Sequence, residues 1–420
     1  MESISRIIGE TGLVKKSGKI IGLLNNFFSF ISILPKTLLL MNPTASQEIH
    51  AHLQHNDLSL AVRRMLDLSL EIEDENLMRE SIQWSKLYHA SIDNREAQPG
   101  EPFFKMGSDL LSKTRQAEAS IKKADIRLLE VNHISKTYPK GNFSLHTISM
   151  SVKGGDILGI VGENGHGKTT LLRCIAGQLA LDQGKLEFKL LNRPDHYDIR
   201  HHVAFIPQRI PRWYGRLKDN LHFSAAIYGI NGKWNELMVD FMLERFNLSR
   251  YQDLTWNQIS SGYRTRFEIA RILLQRPSLL ILDEPLANLD INAQQTILTD
   301  FRYMAKSIAH PMGVLLSSQQ LHEVEKIADS VLLIKNGHCV YEVVKGKASQ
   351  QSFALEIETP IDRQELLEIL GDHMQIQFNG GFYTITSEQH AVQEIISKLI
   401  SKKVPITYFR DITYSTKRYF

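Results

Sequence analysis

The chain has 420 residues, 49 Lys and Arg against 46 Asp and Glu, a formal net charge of +3 and 43% apolar side chains. That length allows about two or three domains with substantial cores, and a nearly balanced charge spread along the chain excludes the concentrated basic surface of a nucleic-acid-binding protein. Cys174 and Cys339 are too few for a disulfide framework, so a reducing, cytoplasmic setting is expected.

Residues 20–35, IIGLLNNFFSFISILP, carry no charge and follow Lys15, Lys16 and Lys19. The run is shorter than the ~20 apolar residues a spanning helix requires, and Asn25, Asn26, Ser29 and Ser32 dilute it. Residues 1–44 therefore read as a tail or a mis-assigned start ahead of Met41, with a helix lying on a membrane surface, or an anchor, as the other readings. From about residue 45 to 123 no strand signal occurs. Glu48 to His55, Leu58 to Ile72, Glu75 to Ile92 and Phe104 to Lys123 carry apolar residues at helical spacing, with Asn56-Asp57 and Asp74 where helices start. A helical bundle over 45–123 follows, its last helix set off by Gln98-Pro99-Gly100-Glu101-Pro102. His50, His52, His55 and His89 match no metal-ligand spacing and read as exposed.

At Ile126 the texture changes. Ile126, Leu128, Val131 and Ile134, then Leu145, Ile148, Met150 and Val152, largely alternate and predict antiparallel strands. The apolar run Ile157 to Val161 is followed by Gly162 to Thr170, GENGHGKTT, and by Leu171-Leu172-Arg173. Strand, glycine loop and helix start in that order fit a phosphate-binding loop, in which backbone N–H groups and a helix N-terminus wrap a β-phosphate. Gly165 and Gly167 permit backbone angles that a side chain would forbid. Lys168 would reach the β- and γ-phosphates, and the Thr169 hydroxyl would ligate a magnesium ion. Histidines 196, 201 and 202, beside Asp195 and Asp198, read as a solvated loop rather than a metal site. The runs Leu279 to Leu282 and Val314 to Leu316 supply the parallel core of an α/β sheet, with the nucleotide at its carboxyl edge. Asp283 and Glu284 emerge there together: Asp283 would hold the magnesium water shell, and Glu284 would polarise the water attacking the γ-phosphorus.

With these residues in place, the stretch from about Ile126 to Gly346 resembles the nucleotide-binding subunit of an ATP-binding cassette (ABC) transporter. The resemblance implies that Tyr138 stacks on adenine and that Glu163, Asn164, His166 and Thr170 complete the loop's nucleotide contacts. It implies that Gln208 senses the γ-phosphate, joins the magnesium site and touches the membrane partner. Ile259-Ser260-Ser261-Gly262-Tyr263 occupies the signature position, which covers the ATP of a second cassette, and Asp290 in Ala287-Asn288-Leu289-Asp290 belongs to a loop crossing the dimer interface. Residues 220–229, NLHFSAAIYG, resemble the multidrug and antibiotic exporter branch. Two departures stand out. The signature has Ser261 and Tyr263 where glycine and glutamine are usual, and the switch histidine is Gln319. His322 lies three residues on, and in this register cannot replace it. A glutamine donates a hydrogen bond but carries no charge, so slowed turnover is expected.

After Gly346 the pattern restarts. A strand at Phe353 to Glu358, a helix at Arg363 to Leu370, strands at Met374 to Phe378 and Phe382 to Ile385 across Asn379-Gly380-Gly381, a helix at His390 to Ser401 and a strand at Ile406 to Phe409 give the order βαββαβ of a ferredoxin-like sheet. The expected architecture is thus an α/β P-loop ATPase of the ABC type over 126–347, with a mixed sheet, an antiparallel β subdomain and a helical subdomain. A helical region over 45–123 precedes it, and a small α+β domain over 352–420, dimer-stabilising or regulatory, follows. The expected function is an ATP- and magnesium-dependent ATPase subunit, a homodimer or paired with another cassette, at the inner face of the cell membrane. It would power export through a separately encoded permease, with 45–123 docking a partner and Pro211, Trp213 and Tyr214 lining a groove for the membrane subunit. The alternative is an ATP-gated dimerisation switch with weak or no hydrolysis.

Overall fold

Local capping decides where the first helices begin. The computed structural model describes residues 44–96, 98–119, 126–138, 140, 143–189, 196–287, 289–319, 321–344, 353–371 and 373–413; the readings for residues 1–43 and 120–123 lie outside them. Thr44 and Gln47 form a reciprocal capping box at the start of α1 (Ala45–Gln54). Asp57 accepts from Leu60 N at α2 (Leu58–Ile72) and Asp74 from Leu77 N at α3 (Glu75–Asp93). Helix α4 (Glu101–Glu118) begins at Gly100 with Pro102 in its first turn, where the missing N–H has no helical partner to lose. The Pro-Gly break therefore starts this helix, and does so earlier than Phe104. The Glu118 carboxylate closes the bundle by accepting from Ala45 N at 2.6 Å and Ser46 N at 3.2 Å, at the positive end of α1.

Strands β1 (Arg127–Tyr138) and β2 (Phe143–Lys153) pair antiparallel. Then come β3 (Ile157–Val161), α5 (Lys168–Ile175), β4 (Gln183–Phe188), α6 (His196–His202) and β5 (Val203–Ile206). A helical segment of α7 (Leu217–Ile227), α8 (Gly232–Arg245) and α9 (Ser261–Leu273) leads to β6 (Leu279–Leu282), α10 (Ile291–Ala305), β7 (Gly313–Ser318), α11 (Leu321–Ile327), β8 (Ser330–Lys335) and β9 (His338–Val344). One sheet has the order β2-β1-β4 and the other β5-β6-β7-β3-β8-β9, parallel except for β9. Strands β3, β6 and β7 are buried along their whole length, so they read as continuous apolar runs and not as alternation.

The helices of 44–119 do not stand apart from this sheet. Ile49, Met65 and Trp84 share one hydrophobic core with Phe241 of α8 and Phe301 of α10. Across the junction Arg245 donates to Asp67 at 2.5 and 2.9 Å and to Asp300 at 2.7 Å, and Arg63 also pairs with Asp300. Ser85 donates to Glu244, and Glu71 accepts from Ile308 N. One side of this helical region is thus packed on the chain's own α8 and α10. Two histidines read as exposed also turn inward: His52 bonds the Tyr303 hydroxyl at 3.0 Å, and His89 lies 4.0 Å from Glu244.

The last unit is β10 (Phe353–Glu358), α12 (Arg363–Leu370), β11 (Gln375–Asn379), β12 (Phe382–Ser387), α13 (Val392–Ser401) and β13 (Tyr408–Asp411). Its strands are all antiparallel in the order β11-β12-β10-β13, the ferredoxin-like arrangement, around a separate core. Gly380 and Gly381, at φ +59° and +93°, form the two-residue turn between β11 and β12. Arg410 of β13 reaches to 3.6 Å from Glu325 of α11.

Candidate functional site

The loop between β3 and α5 takes the shape its glycines imply. Gly165 and Gly167 have φ of +79° and +108°, and a Cβ on Gly167 would come within 2.8 Å of Phe143 Cζ. Gly167 is the N-cap of α5, so the helix's first N–H groups open onto the loop. Lys168 is buried, and its Nζ donates to Gly162 O at 2.8 Å and Glu163 O at 3.1 Å. Thr169 is exposed in the first turn, Asn164 is exposed, and Thr170 is half-buried. His166 Nε2 stands 3.6 Å from Glu163, and its carbonyl accepts from Gly337 N, which braces the loop against the β8–β9 turn. Further along α5, burial pushes the Cys174 thiol up to about 11.

At the carboxyl edge of the sheet, residues far apart in sequence meet on Glu284. Its Oε2 accepts from Gln208 Nε2 and from Gln319 Nε2, each at 2.8 Å, and its Oε1 lies 3.3 Å from Lys168 Nζ. Asp283 is 3% exposed, and among the described residues no Lys, Arg or His pairs with it. Ser317 Oγ donates to Asp283 Oδ1 at 2.8 Å and accepts from Glu284 N at 2.9 Å. Sequence reasoning missed Ser317; the available signal was a polar residue inside an apolar run bound for a buried strand.

Tyr138 is half-buried, its ring 6.4 Å from that of Phe143, the residue packed against Gly167. The contacts of the signature residues run elsewhere. Ser260 is the N-cap of α9 and makes no side-chain cap bond, and Ser260 and Ser261 are exposed. Gly262 faces Leu289, and the Tyr263 hydroxyl accepts from Tyr251 at 2.9 Å. Asp290 caps α10 by accepting from Ala293 N at 2.9 Å, while Asn288 lies outside the described residues.

Trp213 does not line a surface groove. It is buried, stacks on Trp256 at 5.2 Å and donates to Glu268 at 3.1 Å. Tyr214 beside it is 79% exposed, and Phe223 and Ile227 of the following α7 are 68% and 62% exposed. His202 contacts Ser278, and Asp195 lies outside the described residues. A cavity of about 210 Å³ lined by Leu70, Phe241, Met242, Arg276, Tyr303 and Met312 sits where the N-terminal helices meet the amino ends of β6 and β7, the end of the sheet opposite the phosphate loop. Of its charged groups, Asp67 pairs with Arg245 across the cavity wall, and Arg276 pairs with Glu73 outside it.

Among the described residues no helix is long and apolar enough to cross a membrane. The family model for the ABC transporter matches residues 145–287. The phosphonates import ATP-binding protein PhnC of Treponema denticola is 28% identical over 249 residues, 56% of this chain and 96% of that protein. The ABC transporter ATP-binding protein NatA of Bacillus subtilis is 30% identical over 207 residues, 47% of this chain and 80% of that protein. The structure of cbiO1 from Clostridium perfringens, part of the ABC transporter complex cbiONQ, is similar with a TM-score of 0.46 and 26% identity, over 52% of this chain and 88% of that one.

Proposed function

The chain belongs to the ATP-binding subunits of ABC transporters, and from that premise we propose that it hydrolyses ATP to drive transport through a separate membrane permease. The observation that carries the reading is the convergence of Lys168, Gln208 and Gln319 on Glu284 beside the phosphate loop. The loop N–H groups and the start of α5 hold the β- and γ-phosphates, Lys168 adds its charge, and Tyr138 stacks on the adenine. Glu284 accepts a proton as the water oxygen bonds to the γ-phosphorus, and the bond from that phosphorus to the β–γ bridging oxygen breaks to leave ADP and phosphate.

The site suits a hard divalent cation. A buried carboxylate with no ion-pair partner is costly unless a cation meets it, and among the described residues Asp283 has no such partner. Asp283, the Thr169 hydroxyl and the Gln208 side-chain carbonyl would supply oxygen donors of the kind magnesium takes. When bound, magnesium neutralises charge on the phosphate oxygens.

Two copies pack head to tail in this reading, with Ser260 and the open N-terminus of α9 of one covering the ATP of the other and Asp290 near the interface. The exposed α9 start supports it. The exposed Tyr214, Phe223 and Ile227 would suit a cytoplasmic segment of the permease, which supports a position at the inner face of the cell membrane. Export is proposed on the resemblance of residues 220–229; import is the role named for the Treponema relative and belongs to that protein, and uptake into inside-out vesicles decides the direction. A second reading, an ATP-gated dimerisation switch with little turnover, is favoured by the uncharged Gln319 on Glu284. Steady-state hydrolysis beside Glu284→Gln separates the two. Turnover that the variant loses by about 10²–10⁴-fold supports the motor. ATP-dependent dimerisation with no turnover above the variant replaces it with the switch.

A further inference from the structure

We propose that Ser317 is the positioning residue of this site, a single hydroxyl that fixes Asp283 and Glu284 relative to each other. The inference rests on the reading of Asp283 as a cation ligand and of Glu284 as the base.

Strand β7 runs between β6 and β3 and is buried from Gly313 to Ser318. A hydroxyl in such a strand loses its water and destabilises the fold unless both its donor and its acceptor are used. Both are used here, on two adjacent residues of another strand's end: Oγ donates to the Asp283 carboxylate and accepts from the Glu284 backbone N–H. The parallel register explains the reach. Pairing of β6 with β7 ends at Leu282 opposite Leu316, so Ser317 stands level with the point where Asp283 leaves the sheet.

The turn it holds is strained. Glu284 has φ of +49°, in the left-handed region, which is unfavourable for a residue with a side chain and persists only where neighbours hold it. Asp283 N is anchored to Ile206 O at 2.9 Å, and Glu284 N is anchored by Ser317. The resulting twist turns one carboxylate inward and sends the next toward Lys168, Gln208 and Gln319. Because one oxygen binds the side chain of the first residue and the backbone of the second, removing it frees both at once.

The test compares Ser317→Ala and Ser317→Thr with the full-length wild type. It uses affinity for a fluorescent ATP analogue with magnesium and with EDTA, and kcat and KM for hydrolysis. Loss of an orienting neighbour of a metal ligand typically costs about 10–100-fold in metal affinity or activity. We expect Ser317→Ala to lose about that factor in kcat and in the magnesium-dependent gain in affinity, with affinity in EDTA within about twofold of wild type, and Ser317→Thr, which keeps the hydroxyl, to recover both. Ser317→Cys, close to serine in size but a weak donor, serves the same comparison if the alanine variant does not fold. Wild-type kcat and magnesium gain in the variant lacking the hydroxyl would overturn the proposal, as would an equal fall of both affinities. Failure of the underlying reading is distinct: it shows as undiminished turnover in Glu284→Gln, whatever Ser317 does.

Discussion

Replacing Arg245 with methionine tests whether the N-terminal helices are built into the fold. The guanidinium is 2% exposed and lies between carboxylates 13% and 5% exposed, at 2.5 Å from Asp67 and 2.7 Å from Asp300. Methionine fills much of the arginine's volume, so the main loss is electrostatic. Removing one member of a buried pair costs about 3–5 kcal/mol because the remaining charge is stranded, and Arg63 still faces Asp300, which places the expected loss near the lower value. Against a domain stability of about 5–15 kcal/mol that is large. Urea unfolding followed by fluorescence gives the total, and hydrogen exchange locates it: protection should fall first in α2, α3 and α8. Adding Asp67→Asn, which removes one stranded charge, should recover about 1 kcal/mol or more of the loss. The pH dependence has a definite sign. Burial alone would raise the Asp300 pKa, but Arg245 and Arg63 outweigh it and hold the carboxyl below its ordinary value. Its contribution is therefore complete above the unfolded value of about 3.9 and is lost as pH falls through the lower folded value. Without Arg245 that loss begins at higher pH. A destabilisation below about 1 kcal/mol, the range of exposed ion pairs, with exchange unchanged in α2 and α3, would refute the reasoning.

Gln319→His should raise turnover up to about tenfold by adding charge beside the γ-phosphate, and its rate should climb as pH falls through about 6.5, whereas position 319 of the wild type contributes no titration there; a variant no faster than wild type at pH 6 would count against this role. Tyr214→Ser with Phe223→Ser should leave hydrolysis by the isolated subunit within about twofold while reducing the fraction that sediments with membranes of the native host; unchanged sedimentation would remove the permease from this surface. With a pKa pushed up to about 11, Cys174 holds very little thiolate at pH 8, so N-ethylmaleimide should add once to the native protein, at the exposed Cys339, and twice after denaturation. Intact-mass and peptide spectra showing an adduct on native Cys174 would contradict its burial.

What the sequence determined by itself is chemistry written in consecutive residues. Strand, glycine loop and Lys168-Thr169 are adjacent because a phosphate is gripped by successive N–H groups and a helix start, and Asp283-Glu284 stand at the end of an apolar run because a strand must leave the core before it can present carboxylates. The bounds of α2 and the turn between β11 and β12 were legible for the same local reasons, a capping aspartate and a pair of glycines. Tertiary structure alone decided the pairings between distant residues. Gln208 and Gln319 reach Glu284 across 76 and 35 residues, and Arg245 meets Asp67 across 178. Trp213, in a loop that reads as surface, is buried through a stack with Trp256, and the N-terminal helices turn toward their own α8 and α10. A capping box or a phosphate loop leaves a fixed spacing in the chain, whereas a buried ion pair or a shared hydroxyl leaves none, because its partners are chosen by which strand ends and helix faces the fold brings together.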